Sequence, residues 1–148
     1  MWHEGSGSRG ASEIGSCIFN FIQDKVEHGV NAITAFCDSC GGQNRNFKVA
    51  SLMSHCVSSM EINSFTLHFI RSGHLYPPND ADFGVIERAK KTGKDIYVPK
   101  DWMEVVRKAR SRKPFKLIEM KPQNFADLGA LSKLLVNRKK ADDGTQVK

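Results

Sequence analysis

Four acidic side chains, Asp38, Asp80, Asp82 and Glu87, are of a type and spacing that metal-dependent phosphoryl transfer could use. Asp38 ends a short apolar run, Ala32 to Cys37, and the other three lie beyond a second such run, Phe65 to Ile70. Asp80 and Glu87, seven positions apart, share one face of a helix, whereas Asp80 and Asp82 do not. Mg²⁺ and Mn²⁺ take oxygen ligands, and two such ions can clamp the attacking and leaving oxygens of a phosphodiester. The bland reading of the same residues is an N-capping Asp80 and a set of solvated acids, and spacing alone does not separate the two.

Three further constellations could carry chemistry. Cys37-Asp38-Ser39-Cys40 has the C-x-x-C spacing of a thiol redox site or of half a zinc site. A zinc site needs two more ligands, and the alternative is a buried strand cysteine beside a loop cysteine. Gly41-Gly42-Gln43-Asn44-Arg45-Asn46 is a polar loop leading into a helix. Its glycines could let backbone N–H groups approach an anion, and Gln43, Asn44, Arg45 and Asn46 could contact nucleic acid; equally, the stretch reads as a turn and a helix cap. It lacks the Gly-Lys-Ser/Thr ending of a nucleotide P-loop. Lastly, Trp102 precedes Arg107, Lys108, Arg110, Arg112 and Lys113, a basic set with an aromatic neighbour that could bind phosphates and stack a base. Trp102 also reads as a core anchor for its helix. A lone His74 after Gly73 and a strand reads more readily as structural than as catalytic.

Charge patterning points to the same basic set. The net charge is +6, but residues 1–86 carry −3, residues 87–116 carry +7 and residues 117–148 carry +2. A basic band over 87–116 suits a polyanion, DNA above all, or else is a solvated set of helix faces.

Periodicity supplies the elements that must position these residues. Ile14, Cys17, Ile18, Phe21, Ile22 and Val26 recur at helical spacing, predicting a helix from Ser12 to Glu27 stopped at His28-Gly29. Strands are predicted at 32–37, 65–70, 96–98 and 116–120. Helices are predicted at 46–60 and from Asn79 or Asp80 to Lys91. A further helix opens with Asp101 as N-cap and Glu104 as its capping-box partner, and a last one starts near Pro122. Alternation of this kind predicts an α/β fold with a mostly parallel sheet flanked by helices, whose ligand sites lie beyond the C-terminal ends of strands. A length of 148 residues allows one domain, taken as 1–136, with a polar tail over 137–148. At 40% hydrophobic and 26% charged residues the composition excludes a wholly disordered or fibrous chain. No apolar stretch is long enough for a membrane span, and the N-terminus does not read as a secretory leader. Four cysteines then point to free thiols in a reducing compartment, cytoplasm or nucleus.

Taken in order, these segments resemble a transposase-derived domain family of unknown function, frequent in insects and other animals, with a ribonuclease H-like fold. The resemblance rests on Met1-Trp2-His3-Glu4, Arg9 to Cys17, Asp38-Ser39-Cys40-Gly41-Gly42-Gln43-Asn44-Arg45-Asn46, Gly73-His74 with Pro78 to Glu87, Tyr97-Val98-Pro99 with Trp102, Lys113-Pro114-Phe115 and Asn137-Arg138-Lys139-Lys140. It implies three carboxylates around two Mg²⁺ or Mn²⁺ ions and in-line transfer of DNA strands. Asp38 matches the second carboxylate and Asp80 the third, with Glu87 and Asp82 as rivals; Gln43 and Asn44 would sit beside that site. Leu75 stands where the family usually has Ser or Thr. The first carboxylate would belong to an opening strand upstream of Met1, so the resemblance implies a piece of a longer domain, inactive alone. It also implies an unpaired edge on the strand 32–37, and with it self-association.

Overall fold

The computed structural model describes residues 1–70, 78–93 and 95–135. His74, Leu75 and the tail over 137–148 lie outside the described residues. The chain divides into two compact units, Ser8–Arg71 with Gln123–Lys148, and Met1–Gly7 with Ser72–Pro122.

The first unit is a β-α-β arrangement backed by helices. Helix α1 (Ala11–Val26) presents Ala11, Gly15, Ser16 and Ile22 as its buried stripe. A β-carbon added at Gly15 would stand 2.3 Å from Leu128 Cδ1 and 3.3 Å from Leu52 Cδ2, so glycine permits the close approach of the neighbouring helices. Gly29, at φ +81°, turns the chain after the helix, and its N–H donates to the Val26 carbonyl at 2.8 Å. Strand β1 (Ala32–Cys37) follows, then helix α2 (Phe47–Ser59) and strand β2 (Ser64–Phe69). Asn46 caps α2 by accepting from the Val49 N–H at 3.1 Å.

The two strands pair in parallel, Ala32 beside Ser64 through Cys37 beside Phe69. A parallel pair needs a crossover, and α2 supplies it. Ile33, Ala35, Cys37, Phe65 and Leu67 face the helices and are half-buried, while Ala32, Thr34, Phe36, Ser64, Thr66 and His68 are exposed. That alternation is the period of two expected of a sheet with one covered face. The core joins Ile22, Leu52, Cys56, Ile62 and Leu128. Helix α5 (Leu128–Leu135) contributes Leu128. Asp127 starts α5, its Oδ1 accepting from the Gly129 and Ala130 N–H groups at 2.8 and 3.1 Å.

The second unit is built on helices α3 (Pro78–Thr92) and α4 (Pro99–Lys108). Its buried side chains among the described residues are Met103 and Met120. The acidic first turn and basic last turn of α3 both suit the helix dipole.

Several expectations are corrected. Among the described residues the sheet has two strands, parallel as expected, and neither 96–98 nor 116–120 is a strand. The Tyr97 and Val98 N–H groups, which a ladder would need, donate to Asp101 Oδ2 at 3.0 Å each. Over 116–120 the Met120 N–H donates to the Met1 carbonyl at 2.8 Å and the Ile118 carbonyl accepts from the Met1 amino group at 2.5 Å, and the segment is not part of the sheet. Asp101 is not an N-cap: α4 begins at Pro99 with Val98 before it, and Asp101 reaches back from the first turn. Glu104 pairs instead with Lys108, one turn on. Near Pro122 a short 3₁₀ turn, Pro122–Asn124, precedes α5, so the single helix expected there is interrupted.

Candidate nucleic-acid interface

Asp38 stands directly after β1, beyond the carboxyl end of a parallel pair, where α/β sheets place ligands. Its carboxylate is engaged in building the loop. Oδ1 accepts from the Cys40 N–H at 3.3 Å, an Asx turn, and from Asn44 Nδ2 at 2.5 Å. The Cys40 carbonyl closes the loop by accepting from the N–H groups of Gln43, Asn44 and Arg45 at 3.2, 2.8 and 2.9 Å. The Gln43 amide donates to the Arg9 carbonyl at 3.4 Å, and the Arg45 guanidinium lies 5.7 Å from the centre of the Phe69 ring. Gln43, Asn44 and Arg45 thus each take part in building the loop itself.

Asp38 supplies one carboxylate in this unit, and its second oxygen, with the Asn44 side-chain carbonyl, is what it can offer an ion. Asp80 and Glu87 are exposed on α3 of the other unit, and Asp82, half-exposed on the same helix, pairs with Arg110 at 2.9 Å. Among the described residues no three His, Cys, Asp or Glu side chains gather as ion ligands. The Asp38 loop by itself thus offers one carboxylate and one amide oxygen of the donor set that the resemblance implies.

The C-x-x-C pair is placed in the same loop. Burial pushes the Cys37 thiol up from its ordinary value, and the adjacent Asp38 charge pushes it further the same way. A nucleophilic or metal-binding cysteine needs the opposite direction. Burial likewise raises Cys17, and it pushes Cys56 up to about 11.

The basic set lies in the other unit, and the structure divides it. Lys108 Nζ is 3.1 Å from Glu104 Oε2. Arg110 is held three ways: to Asp82 at 2.9 Å, through its Nε–H to the Lys113 carbonyl at 2.8 Å, and over the Phe115 ring at 4.3 Å from its centre. Lys113 turns the chain at φ 57° and is exposed. Arg107 and Arg112 are exposed and have no ion-pair partner among the described residues. Trp102 is half-buried, with Lys90 Nζ 5.4 Å from its ring centre. Spacing could not foresee the Arg110 contacts, because Asp82 lies 28 residues away. A cleft of about 800 Å³ runs along Ala89, Thr92, Tyr97, Val105 and Lys108. Its acids are already paired: Asp101 to backbone, Asp95 to the Tyr97 hydroxyl at 3.2 Å and Glu104 to Lys108.

Compared with known protein families, curated proteins and solved structures, the chain matches none. No helix among the described residues is long and apolar enough to cross a membrane.

Proposed function

We propose that this chain is a nucleic-acid-binding module on a transposase-derived, ribonuclease H-like framework, and that it holds phosphates without cutting them. The observation that carries this reading is the partition of charge in the basic set. Arg107, Arg112 and Lys113 are exposed on α4 and the turn after it, while Lys108 and Arg110 are partly neutralised by Glu104 and Asp82. Exposed guanidinium groups bind phosphate oxygens by paired N–H donors, and such contacts give affinity without reading sequence. The Arg110–Phe115 contact and the Asp82 pair brace the turn that presents Arg112 and Lys113. Asp38 is a single carboxylate tied into its own loop, which supports a structural role inherited from a catalytic ancestor.

The test is fluorescence anisotropy with a labelled DNA duplex, run beside a nicking assay in Mg²⁺ and in Mn²⁺. Arg112→Ala and Arg107→Ala each weaken binding several-fold, Asp38→Asn leaves it unchanged, and plasmid stays intact. Metal-dependent nicking that Asp38→Asn abolishes would establish the strand-transfer reading instead.

A further inference from the structure

The second edge of β1 offers a hydrogen-bonding surface of defined parity. The carbonyls of Asn31 and Cys37 both accept from the β2 side, from the Asn63 and Ile70 N–H groups at 2.7 and 2.8 Å. In a parallel pair alternate residues bond to opposite neighbours. Odd-numbered residues of β1 therefore serve β2, and the N–H and C=O groups of Ala32, Thr34 and Phe36 point to the other edge. Among the described residues no strand pairs there. The run Ala32-Ile33-Thr34-Ala35-Phe36-Cys37 has no charge, no proline and no bulge, the devices by which edge strands avoid association.

We propose that the chain forms a two-fold homodimer in which β1 adds antiparallel to β1 of a second copy, centred on Thr34. The parity selects this register, for it sets Thr34 opposite Thr34 of the second copy and Ala32 opposite its Phe36, engaging all three outward residues of each strand. Each pairing is favourable in shape. Threonines form a cross-strand pair, and the Phe36 ring, stacked on His68 of β2 at 4.9 Å between centroids and still 59% exposed, leaves its free side to the small Ala32 opposite. On the helix-facing side Ile33 meets Ala35. Charge permits it too: the strands bring none together, and the two Asp38 carboxylates fall about 27 Å apart, eight residues at about 3.4 Å each, well beyond the screening length. A two-stranded sheet is marginal by itself, and the dimer makes it four-stranded. Dimerisation through this edge is independent of nucleic-acid binding by the other unit.

Sedimentation velocity of the whole chain tests it, with two variants and a control. Thr34→Pro removes an N–H that β2 does not use, so the fold tolerates it, as edge strands tolerate proline. Thr34→Lys sets two ammonium groups opposite each other on an exposed position. Thr66→Lys places the same charge on the same sheet face but on β2, its register neighbour. Wild type and Thr66→Lys sediment as dimers, and both Thr34 variants raise the dissociation constant at least about tenfold, with circular dichroism unchanged. A monomeric wild type overturns the proposal. So does a dimer that survives both Thr34 variants, or one that Thr66→Lys disrupts equally, which would mean association through the sheet face.

Discussion

In the unit that holds β1 and β2, Ile22, Leu52, Cys56, Ile62 and Leu128 make one continuous core. In the unit that holds α3 and α4, the described residues bury only Met103 and Met120 among hydrophobic side chains. There, charge pairs and cations over rings stand beside half-buried apolar side chains such as Ile86, Trp102 and Val105. Asp82 holds Arg110, Arg110 covers Phe115, and Lys90 covers Trp102. Partly exposed contacts of this type contribute little each. Under the proposed reading the difference separates framework from function: one unit holds the larger core, and the other carries the exposed basic side chains offered to a polyanion.

The largest effect that would sharpen this contrast is in the core. Leu52→Ala should destabilise the chain by about 3 kcal/mol in a denaturant titration, from lost burial and the cavity left behind. A loss below about 1 kcal/mol would mean the core is looser than its burial implies.

A pH dependence comes next. The Cys56 thiol is buried, and its value is raised from about 9 to about 11. Between those values the unfolded chain releases a proton that the folded chain keeps. The contribution of Cys56 is thus fully present below pH 9 and is lost as pH rises through 11. Melting curves from pH 8 to 11 should decline less steeply in Cys56→Ala, against the background of the other titrating groups. Alkylation at neutral pH should reach the exposed Cys40 first and Cys56 last.

Asn46 gives a smaller effect with a sign that can be checked. Its side-chain oxygen caps α2, while its buried Nδ2 has no hydrogen-bond partner among the described residues. Asn46→Ala should cost about 1 kcal/mol, and Asn46→Ser, which keeps the cap without the orphan donor, should match or exceed wild type.

The smallest effect belongs to the other unit. Asp82→Asn should lower stability by less than about 1 kcal/mol. It releases Arg110, and DNA affinity should rise rather than fall.

Legibility in the sequence follows the same division. The boundaries of α1, β1, α2 and β2 agree to within a residue or two with the periodic pattern, because their apolar residues face a real core. The strands expected at 96–98 and 116–120 fail for a local reason. Branched and aromatic residues suit a strand only where a neighbour takes their N–H groups, and Asp101 takes those of Tyr97 and Val98. Tyr97 is 83% exposed, so no sheet covers it. At the candidate site, the position of Asp38 after a strand was legible, but its Asx turn and its bond to Asn44 were not. The pairing of Arg110 with Asp82 depends on how α3 and α4 pack, which residue spacing does not encode.

The central claim, that binding resides in the basic turn after α4 and not at Asp38, is tested most directly by the salt dependence of duplex DNA affinity. The account predicts that the plot of log affinity against log salt becomes shallower by about 2 in Arg107→Ala–Arg112→Ala, because two phosphates are no longer neutralised, while Asp38→Asn keeps the wild-type slope. An unchanged slope in the arginine double variant, or a slope abolished in Asp38→Asn, would contradict it.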